Sequence, residues 1–100
     1  MEYKFIGWCK EGTHDKVWGI ICLAEPAQYR SDGEYLTFWG RRGAKLQTKM
    51  VYGDNYDMNS LADAKMRKGY KELERTELDK VYPEFEADLE KTAIWATLKL

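Results

Sequence analysis

A short stretch near the middle of the chain concentrates side chains that suit a charged, aromatic ligand. Residues 38–43 read FWGRRG, and every charged residue between positions 35 and 53 is basic, which gives a local charge of +4. These residues are Arg41, Arg42, Lys45 and Lys49. Arginine and lysine neutralise phosphate groups, and an exposed aromatic ring stacks on a sugar or an unpaired base. The composition of the stretch therefore favours nucleic acid as a ligand.

The same stretch has the residue pattern of a β-strand. It and the three residues before it are rich in aromatic and β-branched side chains, and successive side chains of a strand point to opposite faces. Leu36 and Phe38 then share a face that suits a core. Thr37, Trp39 and Arg41 share the other face. The pattern leaves two positions open for Trp39: on an outer face that contacts a ligand, or partly buried at the edge of the core.

A second strand after the motif adds Lys49 and, on the same face, Gln47. The predicted nucleic-acid site comprises Trp39, Arg41, Arg42, Lys45, Gln47 and Lys49. The alternative is that the cations of an edge hairpin only keep it soluble and discourage pairing with another sheet edge.

The sequence has no pattern typical of catalysis or metal binding. His14 is the only histidine, and it lies in a predicted turn with no cysteine or serine context that marks a catalytic pair. The acidic residues of 84–90 spread around a predicted helix. No cysteine and histidine spacing matches a metal site, and neither common phosphate-binding glycine loop is present. We therefore predict a protein that is not an enzyme and has no catalytic residue, metal or cofactor.

Three separated blocks of sequence resemble the WGR domain, which occurs in DNA-dependent poly(ADP-ribose) polymerases and, alone or fused, in many bacterial proteins. The triplet at 39–41 is the one that names the family. Residues 11–18, EGTHDKVW, resemble its bacterial hairpin pattern of EGT, a polar pair, lysine and an aromatic residue. Residues 65–70, KMRKGY, resemble the lysine-rich KGY end of its helix. The blocks fall in family order and span about residues 3–73.

The resemblance implies a role in DNA binding for Trp39. In the polymerases this domain contacts DNA at strand breaks, and the motif tryptophan packs against the end of the duplex. Arg41 would lie beside it. The loop after the motif departs from the family pattern: Arg42 stands where the family usually has isoleucine or valine, and Leu46 replaces the second glycine of GTxGQ, whereas Gln47 matches.

The overall composition describes one small domain. Its 100 residues are 44% hydrophobic, and 16 basic against 17 acidic residues give a net charge of −1. This balance argues against a general polyanion binder but is compatible with a local basic patch. The chain has neither an apolar run as long as a membrane span nor a signal-peptide pattern, so we expect a cytoplasmic protein. Cys9 and Cys22 lie several positions out of register across the predicted hairpin, so we expect no disulfide.

Four β-like segments followed by two helical ones predict an α+β fold: a four-stranded antiparallel sheet, one helix across a face and a C-terminal helix. The strands are predicted at 3–10, 17–24, 35–41 and 46–52, with a turn at 11–15. The first helix is predicted to begin with a capping box at Ser60 and to run to Lys68, where Gly69 ends it. Its Leu61 and Ala64 are expected to face the sheet.

Residues 74–100 lie outside the resemblance and predict a helical extension. Pro83 suits the first position of a last helix, which we expect to pack on the domain. Its apolar residues at helical spacing are Phe85, Leu89, Ala93 and Ala96. Residues 72–91 hold eight acidic against three basic residues. This acidic helix leaves a second function open, a protein-interaction module such as a phage or mobile-element protein that binds and modulates a host factor.

Overall fold

The computed structural model describes residues 2–27, 32–92 and 94–95. In these ranges the chain forms one antiparallel sheet of five strands, in the order β4-β3-β2-β1-β5, with helices beside it. The strands are β1 (Glu2–Glu11), β2 (His14–Ala24), β3 (Gly33–Arg41), β4 (Gln47–Gly53) and β5 (Lys71–Glu72). The helices are α1 (Asn55–Arg67), α2 (Arg75–Val81) and α3 (Phe85–Glu90). The predicted α+β class is confirmed, and the sheet has one strand more than the four predicted.

A tight hairpin joins β1 to β2. Glu11 pairs with His14, so the turn consists of Gly12 and Thr13 alone. Gly12 has a φ of +58°, a backbone conformation that favours glycine in such two-residue turns. Both strands therefore extend into the five-residue turn that the sequence predicts.

The two cysteines lie far apart along this β1–β2 ladder. Cys9 is opposite Lys16, and Cys22 is opposite Glu2. Both thiols are free. Their ladder positions are too distant for a disulfide, which needs Cα atoms within about 7 Å of each other.

The fifth strand is a two-residue edge that pairs with β1. Gly7 is opposite Glu72, and Trp8 is opposite Lys71. Both of its residues are exposed, so the strand has no alternation of apolar and polar side chains from which the sequence could predict it. The next residue, Leu73, donates its N–H to the Ile6 carbonyl at 2.8 Å, which directs the chain from this edge into α2.

Helix α1 begins earlier than predicted. Its capping box is made by Asp54 and Asp57: the Asp57 N–H donates to Asp54 Oδ1 at 2.9 Å, and the Asp54 N–H donates to Asp57 Oδ2 at 3.0 Å. The predicted start at Ser60 is wrong because this complete pair of cap bonds lies about one and a half turns upstream. Gly69, with a φ of +103°, follows the end of the helix as predicted.

Helix α1 packs on one face of the sheet. The core residues on this face are Phe5, Trp18, Ile20 and Tyr35 of the strands and Met58 and Ala62 of the helix. Leu61 is 38% exposed and shares an open hollow with Thr37 and Val51 of the strands, so it faces the sheet as predicted but at the margin of the core. The predicted helix began after Met58, which is the largest side chain that α1 buries.

The C-terminal helices cover the opposite face. The core residues there include Leu36 and Phe38 of β3, Leu78 of α2, Tyr82, and Phe85 and Leu89 of α3. The ring centroids of Phe38 and Phe85 are 4.7 Å apart, so the extension packs on the domain as predicted. Within the described residues the extension forms two short helices, α2 before Pro83 and α3 after it, in place of the single helix predicted. Residues 94–95 are also helical, and Ala93 and Ala96 lie outside the described residues. No helix within the described ranges is long and apolar enough to span a membrane.

Gly19 of β2 lies against the ring of Phe38, its partner in β3. A Cβ atom at Gly19 would lie 2.2 Å from Phe38 Cζ and 2.7 Å from the Phe5 carbonyl oxygen. We therefore expect Gly19→Ala to lower the free energy of unfolding by about 1–3 kcal/mol, the usual effect of overpacking a core, as measured by urea denaturation.

A double-mutant cycle with Phe38→Leu checks the cause of this loss. Removing the ring should relieve the contact with Phe38 but not the one with the Phe5 carbonyl, so Gly19→Ala should cost less, but still cost something, in the Phe38→Leu background. An equal cost in both backgrounds would show that the ring contact is not responsible.

Candidate nucleic-acid interface

Trp39 lies on the α1 face of β3, at the end of the sheet that α1 leaves uncovered. The alternation predicted for β3 is confirmed: Leu36 and Phe38 are buried under the C-terminal helices, and Tyr35 and Trp39 belong to the opposite face. Trp39 is half-buried and packs against the edge of the α1 core. Of the two positions that the sequence left open for this ring, the structure shows the partly buried one, with one side still accessible.

An open groove of about 370 Å³ runs along the accessible side of Trp39, and we call it the Trp39 groove. Its walls come from three strands, the last two turns of α1 and the residue before β5. The lining residues are Trp18, Thr37, Trp39, Lys49, Val51, Leu61, Lys65 and Tyr70. Beyond Trp39 and Tyr70 the surface continues into a second hollow that includes Lys16 and Arg41, together with His14 and with Asp15, whose carboxylate is paired with Arg42. Aromatic rings and cations are therefore interleaved along one continuous surface.

The cations of this surface lie over its aromatic rings. Lys65 Nζ is 5.2 Å from the ring centroid of Trp18, and Lys16 Nζ is 5.8 Å from that of Tyr70. Burial lowers the pKa of Lys65, and the positive charges of Lys68 and Lys16 lower it further. The neighbouring cations thus repel one another, and an anion bound between them would relieve the repulsion.

No carboxylate from the described part of the chain lies within 4.0 Å of the four cations around Trp39. These cations are Lys16, Arg41, Lys49 and Lys65. The acidic residues of the C-terminal helices do not neutralise them either, since Asp79 and Glu86 pair with Arg75, and Asp88 pairs with Lys91. The groove therefore carries positive charge that the fold leaves available.

The structure brings four of the six predicted site residues to this surface. Gln47 is opposite Trp39 in the β3–β4 ladder, and Lys49 is opposite Thr37, so both flank the groove from β4 and are exposed. Arg41 is exposed at the end of β3, where its Nη1 donates to the Thr13 carbonyl at 3.2 Å.

The other two predicted residues lie elsewhere. Lys45 lines a separate hollow with Asp88 and Lys91, on the side of the C-terminal helices. Arg42 is engaged in the fold. Its Nε and Nη2 donate to Asp15 Oδ2 at 3.0 and 2.7 Å, and its Nη1 donates to the Val81 carbonyl at the end of α2.

Arg42 joins three parts of the structure. Its guanidinium lies 5.5 Å from the ring centroid of Trp8, and Trp8 Nε1 donates to Asp15 Oδ1 at 2.7 Å. The backbone N–H of Arg42 also donates to the Asp15 carbonyl, at 2.9 Å. The turn after the motif is therefore fixed to β2 and α2 by a half-buried charge, at the position where the WGR pattern has an aliphatic side chain.

Sequence reasoning missed Lys16, Trp18, Lys65 and Tyr70 as residues of this surface. A signal for them was present, since all four lie in the two outer blocks that resemble the WGR domain. Those blocks and the motif triplet, which are more than 15 residues apart in the chain, meet at the Trp39 groove.

Comparisons of this chain with protein-family models, with curated proteins and with solved structures find no match. The functional interpretation therefore depends on the geometry and charge of the Trp39 groove.

The neighbouring arginines should behave differently on truncation. Arg42→Ala removes charge-assisted hydrogen bonds to a mostly buried carboxylate, so we expect it to lower the free energy of unfolding by about 1–3 kcal/mol. Arg41→Ala is the matched control, and it should change stability by less than about 0.5 kcal/mol because Arg41 is exposed. Urea denaturation of both variants checks this, and equal losses would contradict the assigned roles.

The Asp15 network also predicts a dependence of stability on pH. The hydrogen bond from Trp8 lowers the pKa of Asp15, and Arg42 lowers it further, although burial opposes them. Because the pKa is lower in the folded state, this stabilisation is complete above the ordinary pKa of an aspartate and disappears as the pH falls through the folded value. Asp15→Asn should therefore lose less stability than the wild type between neutral pH and strong acid, as measured by urea denaturation.

The control for this pH effect is Glu11→Gln, which removes an exposed carboxylate from the same hairpin. It should lose as much stability on acidification as the wild type. If Asp15→Asn also follows the wild type, the network does not contribute to acid sensitivity.

Proposed function

We propose that the protein is a small non-enzymatic binding module that contacts DNA, at an end or along a single strand, through the Trp39 groove. The observation that carries the proposal is the set of four cations around a half-buried tryptophan, none of which has a carboxylate partner in the described ranges. Phosphate groups suit such a surface because lysine and arginine side chains neutralise their negative charge.

The aromatic residues add the second part of the recognition. Trp39 and Tyr70 stand between the two hollows, so a sugar or an unpaired base can lie against either ring while phosphates reach the lysines on both sides. Backbone contacts and stacking read no sequence, so the binding should be weakly selective for sequence. The proposed binding residues are Trp39, Arg41, Gln47 and Lys49 from the sequence analysis, together with Lys16, Lys65 and Tyr70.

The resemblance to the WGR domain agrees with this proposal, because it implies the same role for Trp39 and Arg41. In this proposal Arg42 has a structural role. The ion pair with Asp15 fixes the turn after the motif, so Arg42 positions the surface without contacting the ligand.

A protein-interaction module is the competing function. Tyr52 and Tyr56 are 62% and 76% exposed, and tyrosine is enriched in protein interfaces. The acidic C-terminal helices offer a second surface for a basic partner. The salt dependence of binding distinguishes the two functions, since a short oligonucleotide held by phosphate contacts is released by salt.

Fluorescence anisotropy of labelled oligonucleotides tests the proposal. If roughly three of the four cations contact a phosphate at the same time, a plot of log K against log salt concentration should have a slope of about −2 to −3. Single-stranded, blunt and nicked duplex DNA of about 12 nucleotides, within the usual site size of such modules, identify the preferred form. No salt-sensitive binding to any of the three at high micromolar protein would remove the proposal and favour the protein partner.

Three variants locate the site. Trp39→Ala should lower affinity about tenfold or more, because stacking contributes roughly 1–3 kcal/mol. Lys65→Gln should flatten the salt slope by about 0.7–0.9, the change expected when one phosphate is no longer neutralised. The matched control is Lys80→Gln on α2, an exposed lysine far from the groove, which should bind as the wild type does.

Thermal unfolding of Trp39→Ala separates binding from folding. Because the ring is half-buried, the loss of stability should be smaller than the roughly 3–5 kcal/mol of a fully buried aromatic residue. A folded Trp39→Ala variant that binds DNA like the wild type would show that the groove is not the binding site.

A further inference from the structure

The opposite end of the sheet carries a cluster of a different chemistry. Glu2, Cys22 and Glu25 each place one ligand atom, two carboxylate oxygens and one sulfur, within 4.8 Å of the others. Glu2 is opposite Cys22 in the β1–β2 ladder, and Glu25 follows the end of β2. The Cys22 thiol donates to Glu25 Oε1 at 3.3 Å. Glu2 of β1 and Glu25, which follows β2, therefore both place a carboxylate beside the Cys22 thiol.

The backbone is irregular on both sides of Cys22. The β1–β2 register shifts between Tyr3 and Phe5, and the β2–β3 register shifts between Cys22 and Ala24. Such bulges redirect side chains and are common next to functional sites.

A third strand supplies an independent observation. Tyr35 of β3 is the ladder partner of Cys22 and lies on the same face. Its side chain is fully buried, yet its hydroxyl has no hydrogen-bond partner among the residues that the structure describes. Burial raises the pKa of Tyr35, and the negative charges of Glu25, Cys22, Asp54 and Glu2 raise it further. An unpaired buried hydroxyl is costly, so a polar group bound here would satisfy it.

We propose that Glu2, Cys22 and Glu25 bind a divalent transition-metal ion of the zinc type, and that the Tyr35 hydroxyl donates a hydrogen bond to its coordination shell. A thiolate selects a borderline-soft ion such as Zn²⁺ over Mg²⁺ or Ca²⁺, which prefer oxygen ligands alone. Three protein ligands leave the fourth position of a tetrahedral ion for water.

The distances fit such an ion after small rotations. Zinc bonds of about 2.0–2.3 Å place tetrahedral ligand atoms about 3.3–3.8 Å apart. Glu2 and Glu25 are exposed, so their carboxylates can close the remaining gap of about 1 Å without disturbing the core.

Binding requires that the Cys22 sulfur release its proton to solvent as the sulfur–metal bond forms. Without an ion, burial and Glu25 raise the pKa of Cys22 to about 11, and Glu2 also raises it while Lys4 opposes them. A divalent cation reverses this effect because it stabilises the thiolate and both carboxylates together. The same groups that disfavour the free thiolate therefore become the ligands of the ion.

Titration of the tag-free full chain with Zn²⁺ and with Co²⁺ tests the proposal. Calorimetry should show one Zn²⁺ bound per chain, and Co²⁺ should give the near-ultraviolet absorption band of a sulfur–cobalt bond. Cys22→Ser should abolish that band and lower Zn²⁺ affinity at least about 100-fold, because serine does not supply a thiolate. Cys9→Ala removes the other thiol and should leave both signals unchanged.

The carboxylates and the tyrosine need their own variants. Glu2→Gln and Glu25→Gln should each weaken Zn²⁺ binding at least about tenfold. Tyr35→Phe should weaken it about 10–100-fold, as loss of a hydrogen bond to a metal ligand does, while the metal-free protein stays as stable as the wild type or becomes more so. That combination separates a role in the metal site from a purely structural one.

Several results would overturn the site. They are an absence of Zn²⁺ binding at high micromolar concentration, a Cys22→Ser variant that binds Zn²⁺ like the wild type, and loss of binding in Cys9→Ala. Unchanged Zn²⁺ affinity in Tyr35→Phe would remove the tyrosine from the proposal. Because this cluster lies toward the opposite end of β2 from the Trp39 groove, the variants of Glu2, Cys22 and Glu25 should not alter DNA binding there.

Discussion

The candidate interface depends on a mismatch in length between α1 and the strands beneath it. The helix has 13 residues and spans about 20 Å, whereas the 11 residues of β2 extend about 36 Å. A single helix of this length cannot cover the face on which it packs. It buries Ile20 and Tyr35 near the middle and leaves Trp39 half-exposed where the helix ends. The groove is therefore a consequence of how much of the sheet the helix can reach.

The second structural requirement is that the turn after the motif be held in place. Trp39 can present a constant surface only if the loop beyond Arg41 does not move, and the Arg42–Asp15 pair links that loop to β2 and, through Val81, to α2. Two adjacent arginines thus take separate parts. One is a structural connection between the two layers, and the other remains exposed at the groove.

The two ends of the sheet are chemically opposite. Lysines and aromatic rings gather where the hairpin and the end of α1 meet, whereas carboxylates, a thiol and a buried tyrosine gather around the end of β2. The strands hold these clusters apart, so a ligand bound at one cluster would not contact the other. An anion at one end and a cation at the other would each neutralise the excess charge of its own cluster.

The sequence by itself determined the local features. The alternation of β3 separates Phe38 from Trp39, the turn at Gly12 lies where predicted, and Phe85 and Leu89 face the core, because each pattern depends on residues a few positions apart. Only the tertiary structure decided which distant residues became neighbours. Strand register aligned Glu2, Cys22 and Tyr35, the packing of α1 brought Lys65 to Trp39, and Asp15 engaged Arg42 instead of leaving it free. Contacts between residues far apart in the chain depend on which segments pair and on the register of the pairing. Neither the pairing partner nor the register produces a periodic pattern in the sequence.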